Sequence, residues 1–167
     1  MARRRTRVKS DVDLRPFYRY IRGVRLRSRD FRGVFKAAMK DLEKAHAQNF
    51  ASQGGLVGGW KPAYSDWKLE DYGAGGTLVR TGALRNSLTV SNARGAVRDI
   101  GLKQAEFGTS LNYAHFHQTG TEDMAARKIV FVPRSFAEGL GRDALDHVAY
   151  GENPVGAFRR ALNMVRR

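Results

Sequence analysis

The sequence predicts a small α+β fold: a mixed or antiparallel sheet packed with a long N-terminal helix and a C-terminal helix, with one long loop rich in glycine and tryptophan. Three observations predict it. Residues 28–51 carry apolar side chains at helical spacing, short glycine-bounded or β-branched runs follow between 97 and 132, and Pro154 to Arg167 returns to the helical pattern. The 167 residues give room for one ordinary domain, and a 42% hydrophobic content is enough to fill a core. We divide the chain into a basic N-terminal arm or extension, residues 1–27, and a single α+β domain, residues 28–167.

Residues 1–10 offer no apolar periodicity that could offset the entropy of ordering them, and they read as a disordered arm. From Leu14 to Leu26, Phe17, Tyr18, Tyr20, Ile21 and Val24 interleave with arginines at a spacing that fits a strand or a short helix equally. The next element is predicted to start near Ser28 as N-cap, with Asp30 in its first turn, and to run to about Ala51. Phe31, Val34, Phe35, Ala38, Leu42 and Ala45 form its apolar stripe. Gln53-Gly54-Gly55 ends it, and the glycine-dense stretch to Gly76 reads as a loop. A connection that long inside a small domain needs a use, so Trp60, Trp67 and Tyr72 are candidate anchors against a neighbouring subunit.

Thr81 to Leu88 reads as a capped helical turn leading into a strand through Val90, with a break at Asn92 to Gly95. Val97–Leu102, Ala105–Thr109 and Ile129–Val132 are predicted strands, the last one buried. Asn112 to Gln118 fits one helical turn ending at Gly120. Val155, Phe158, Leu162 and Val165 share one face of the C-terminal helix.

Lys and Arg number 30 against 16 Asp and Glu, a formal net charge of +14 that implies attraction to a polyanion or a charged surface. Twelve basic and three acidic residues lie between Met1 and Arg32, so +9 of that charge sits in the first fifth of the chain. Arg3, Arg4, Arg5, Arg7 and Lys9 are the candidates to face DNA or an acidic partner, without sequence specificity since no recognition motif accompanies them. The chain has no cysteine, which excludes disulfides and thiolate-held metals. No apolar run has the length of a membrane span or a signal peptide, so neither secretion nor membrane insertion is expected.

Chemistry-bearing motifs are few. His115-x-His117 would place two imidazoles on one side of a strand, but nothing completes a metal site, and packing or backbone hydrogen bonding near a turn is the better account. There is no Gly-x-Ser-x-Gly elbow, and Gly73-Ala74-Gly75-Gly76-Thr77 lacks the Lys-Ser/Thr ending of a phosphate loop. No catalytic residue, metal or cofactor is expected. On charge alone the chain would be a sequence-nonspecific nucleic-acid-binding protein.

A longer pattern points elsewhere. Gly59-Trp60 is followed by Leu78-x-x-Thr81-Gly82-x-Leu84-Arg85-x-Ser87-Leu88, then Ile100-Gly101, then Tyr113-Ala114-x-x-His117-Gln118-x-Gly120, and finally Val132-Pro133-Arg134-Ser135-Phe136. In type, order and spacing these blocks resemble the phage virion morphogenesis, or tail completion, family, with its Mu-like and P2-like members, over about half the chain. The basic N-terminus and the stretch from Lys103 to Asn112 depart from that pattern. The resemblance implies a non-enzymatic virion protein that forms a ring, of six copies given the sixfold symmetry of phage tails, at the head-proximal end of the tail or in the neck. It implies assembly in the bacterial cytoplasm, with neck, connector or tail-tube proteins and the genomic DNA as neighbours. The block residues read as structural: Gly82 and Gly120 permit turns, Leu84 and Tyr113 pack, and Arg134 pairs while the ring of Phe136 buries.

Overall fold

In the computed structural model, which describes residues 13–60 and 77–151, the arginine-rich segment after Leu14 is a helix, α1 (Arg15–Arg27). Pro16 opens it, and the Asp13 carboxylate accepts the backbone N–H and the guanidinium of Arg15. Ser28 closes this helix rather than opening the next, its hydroxyl donating to the Arg25 carbonyl. The second helix, α2 (Arg32–Ala51), is capped by Phe31 and therefore starts three residues later than the pattern suggests. Asp30 stands just before it and accepts the Arg32 N–H at 3.0 Å, while the Arg32 guanidinium holds its carboxyl at a pKa of about 2.

The buried stripe of α2 is Val34, Met39, Leu42, His46, Asn49 and Phe50. Two of these are polar, which is why an apolar count shifts the stripe toward Ala38 and Ala45. Gly54 ends the helix with φ +85°, its N–H on the Asn49 carbonyl. A side chain there would collide with Trp60, whose ring lies 2.6 Å from the position of a Cβ. After a 3-10 turn (Gly55–Val57), Trp60 folds back with its N–H on the Gln53 carbonyl and its indole donating to the Lys128 carbonyl at 3.1 Å.

Gly82, at φ +77°, opens α3 (Ala83–Thr89), and the strand expected through Val90 does not form: Val90 is an extended, exposed cap to that helix. β1 (Ala96–Ile100) and β2 (Ala105–Thr109) pair antiparallel from Ala96 opposite Thr109 to Ile100 opposite Ala105. Ile129–Val132 does not add a third strand. Ile129 is buried as the pattern predicts, but its backbone is held by a side chain of α4 (Ala114–Thr119) instead of a neighbouring strand. The last described helix, α5 (Arg134–Tyr150), is not legible in the pattern because Gly139 and Gly141 interrupt it. The helix predicted from Pro154 lies outside the described residues.

Phe50, Trp60, Leu84, Leu88, Ala114 and Ile129 form the core, with Phe107, Leu111 and Val130 packed on it. Arg98 ties the elements around this core together. From the inner face of β1 its guanidinium meets Glu43 of α2 at 2.9 Å, the Val97 and Gly108 carbonyls of the two strands at 2.7 and 3.0 Å, and the Ser87 carbonyl of α3 at 3.1 Å. It also stacks 4.0 Å from the centre of the Phe107 ring. Its side chain is 9% exposed and that of Glu43 14%, so truncating either leaves the other charge buried. Arg98→Ala is expected to cost about 3 kcal/mol, read as a lowered urea midpoint, whereas Arg134→Ala, whose pair with Glu138 is largely exposed, should move it by under about 0.5 kcal/mol.

Candidate functional site

The sequence blocks meet around a second polar joint, centred on Gln118 of α4. Its amide oxygen accepts the Ile129 and Val130 N–H groups at 2.8 and 3.0 Å, and its amide nitrogen donates to the Val130 carbonyl at 3.0 Å. One glutamine thus gives residues 129–130 the hydrogen bonds a strand partner would have given. The turn that brings them there depends on Gly120, at φ +81° and ψ 175°, a region essentially confined to glycine. A Cβ on Gly120 would lie 2.8 Å from both the Met124 carbonyl oxygen and the Ala126 nitrogen. Beyond the turn, the Arg127 N–H reaches the His117 carbonyl and its side chain is buried.

The other block residues take similar roles. Leu84 is in the core, and Ser87 is fully buried, donating to the Leu84 carbonyl and meeting the Thr109 hydroxyl at 2.9 Å. The Thr81 hydroxyl accepts the Ala83 N–H at the start of α3, and Arg85 lies exposed beside Asn86. Tyr113 is partly exposed, with its ring edge-on to His117. Phe136 is half-buried, and Arg134 points to solvent.

His46, which no sequence motif marks, lies inside the stripe of α2. Its Nδ1 donates to the Leu42 carbonyl at 2.7 Å and its Nε2 accepts the Phe131 N–H at 3.4 Å, an arrangement that assigns the neutral tautomer. Its ring packs between Phe107 and Phe131, and burial, then the nearby Arg98 charge, pushes its pKa down. His115 and His117 are on a helix rather than a strand, so residues two apart point away from each other. The Nδ1 of His115 lies 3.1 Å from the Asn112 carbonyl, while burial lowers the pKa of His117. Among the described residues no group of three or more His, Cys, Asp or Glu side chains could hold a metal ion. Among them, too, no helix is long and apolar enough to cross a membrane.

Of the residues singled out as assembly anchors, Trp60 is 7% exposed and packs edge-on against Phe50, 5.1 Å between ring centres. It belongs to the core of its own subunit and is not available as an intersubunit anchor, a correction that follows from the Gly54 turn folding it inward. Trp67 and Tyr72, and Arg3, Arg4, Arg5, Arg7 and Lys9, lie outside the described residues.

Residues 12–146 match the sequence model of the phage virion morphogenesis family. The chain belongs to the phage virion morphogenesis family. No curated protein and no solved structure gives a significant match. Membership places the chain among proteins that build the bacteriophage virion, a structural role. Within the blocks, Gln118, Gly120, Ser87 and Leu84 hold backbone segments and core contacts in place.

Two measurements check the folding roles of Gly120 and His46. Gly120→Ala should destabilise the protein by about 3 kcal/mol through strain and collision together, whereas Gly58→Ala, at φ +92° with nothing within 4 Å of the new Cβ, should cost only about 1 kcal/mol. Stability should also fall on acidification. A folded-state pKa for His46 below its ordinary 6.5 means that its contribution is complete above pH 6.5 and is lost as pH falls through the lowered value, with His117 acting in the same sense. Urea unfolding at pH 8 and pH 5 reads this, and His46→Gln should flatten the difference while lowering stability at both.

Proposed function

We propose that the protein is a ring subunit of a tailed phage, positioned at the head-proximal end of the tail or in the neck, where it surrounds the DNA path. Family membership across residues 12–146 is the observation that carries this reading. Its partners on this account are copies of itself, six in number, the neck, connector or tail-tube proteins above and below, and the genomic DNA, bound without sequence preference. It assembles in the host cytoplasm and becomes part of the virion.

Charge supports the DNA path in particular. Six copies of a chain carrying +14 bring together +84 formal charges, and a ring of that charge opposes its own closure unless polyanion or acidic protein surface neutralises it. Salt screens exposed charges more than roughly 8 to 10 Å apart, which leaves the shorter-range repulsion at each subunit boundary to be neutralised by direct partners. Arg3, Arg4, Arg5 and Arg7 are suited to this, arginine being the residue that meets phosphate through a planar fork of donors. The same charge favours a second reading, a free nucleic-acid-binding protein, which would stay monomeric when its virion partners are supplied. Native mass spectrometry of the purified chain, alone and with neck partners, should give a ring of six; a persistent monomer would remove the ring reading. Deleting residues 2–9 should leave folding intact, weaken DNA retention, and reduce the slope of log K against log salt by about 0.9 for each phosphate that the arm neutralises. An unchanged slope would show that those arginines meet protein or solvent.

A further inference from the structure

Helix α1 is anchored at one end only. At its C-terminal end the Arg27 guanidinium donates to the Val148 and Ala149 carbonyls of α5 at 2.9 and 3.0 Å, beside the Gly151 turn. None of its residues is buried, and Phe17, Tyr18, Tyr20, Ile21 and Leu26 are each 45% exposed or more. A 13-residue helix is marginal in water without packing. One side of it carries Arg15, Arg19 and Arg22 at helical spacing, with Tyr18 among them and Leu26 one turn beyond, and no acidic residue lies anywhere along it.

The outer face of the β1–β2 hairpin has the opposite character. Asp99 stands directly across from Glu106, both exposed, and like charges at paired strand positions repel. No ion pair to either is formed among the described residues. With Gln104 and Ala105 they line a groove of about 250 Å³, next to the exposed Leu102. The two faces are commensurate. Residues three or four apart on a helix surface are about 5–6 Å apart, and directly opposed strand residues about 4.5–5.5 Å.

We propose that α1 of one copy docks along the hairpin of the next, with Arg19 and Arg22 over Asp99 and Glu106 and with Tyr18 in the groove beside Gln104. The contact joins two different surfaces of one chain, the head-to-tail kind that closes rings, and it rests on the ring reading above. It places opposite charges together at every subunit boundary, and it gives α1 packing that the described residues of its own subunit do not supply.

A charge exchange in the full-length chain tests this. Asp99→Arg with Glu106→Arg in one protein, and Arg19→Glu with Arg22→Glu in another, should each abolish self-assembly. Mixing the two should restore it at equal stoichiometry, since each helix then meets a hairpin of opposite sign. Because the natural chain lacks cysteine, a mixture of Tyr18→Cys and Gln104→Cys proteins should also form a disulfide-linked heterodimer on oxidation that neither forms alone. Rings that persist in both charge variants, or that form in the cysteine mixture without the heterodimer, would overturn this contact while leaving the ring reading intact. A Tyr18→Cys homodimer would mean that α1 pairs with α1 and would overturn it too. If the unaltered chain forms no ring with its partners, both readings fall together.

Discussion

A buried guanidinium sets the arrangement of this domain. A charge taken out of water is retained only where its hydrogen bonds and its counter-charge are supplied together, and Arg98 obtains a carboxylate from α2 and carbonyls from α3, β1 and β2. Each donor direction of the planar fork therefore specifies where one element must lie. Leu84 and Leu88 would pack in many ways against Phe50; with the Ser87 carbonyl held on Arg98, α3 has one orientation that also satisfies the guanidinium. The Phe107 ring beneath it keeps water from the uncovered face.

This matters because the sheet is minimal. A two-stranded hairpin is marginal alone in water, and here its inner face is completed by Arg98, by His46 against Phe107, and by the segment after Lys128. Among the described residues that last segment has no strand beside it. Gln118 and the Nε2 of His46 accept the N–H groups of Ile129, Val130 and Phe131, so two side chains supply what a third strand would have. Leaving such buried amides unmet would cost about 1–3 kcal/mol each, which is the structural work that Gln118 does.

Where the sequence is legible, a physical period or a stop signal carries the information. The presence and C-terminal end of α2, the Gly54 stop, both hairpin strands and the turn at Gly120 follow from helical spacing, alternation and glycine placement. Where it is not, a polar side chain has taken an apolar position. His46 and Asn49 break the stripe of α2, and Arg98, between Val97 and Asp99, looks like a solvated strand residue although it faces inward. Ile129–Val132 has the composition of a buried strand and the burial of one at Ile129, but hydrogen-bond partners are long-range information that composition does not hold. Trp60 misleads for the same reason: its large apolar area says that it will be buried, and only the Gly54 turn says against what. The helical character of α1 is within reach, since Phe17, Tyr20, Ile21 and Val24 recur at 0, 3, 4 and 7; arginines between them obscure the period.

The distribution of charge separates folding from assembly. Arg98 organises the inside of the domain and Arg27 its edge, and both are answered by carboxylate or carbonyl oxygens of the same chain. Among the described residues, Arg15, Arg19, Arg22 and Arg25 of α1 contact no core residue, and only Arg15 has an acidic partner, the neighbouring Asp13, in an exposed pair that contributes little. A monomer gains nothing from concentrating them there, because mutual repulsion along a helix opposes the helix itself. Selection for solubility alone would be met by charges of mixed sign spread over the surface. On the proposed head-to-tail contact, an arginine-lined helix held at one end is what the acidic hairpin of the next subunit would meet.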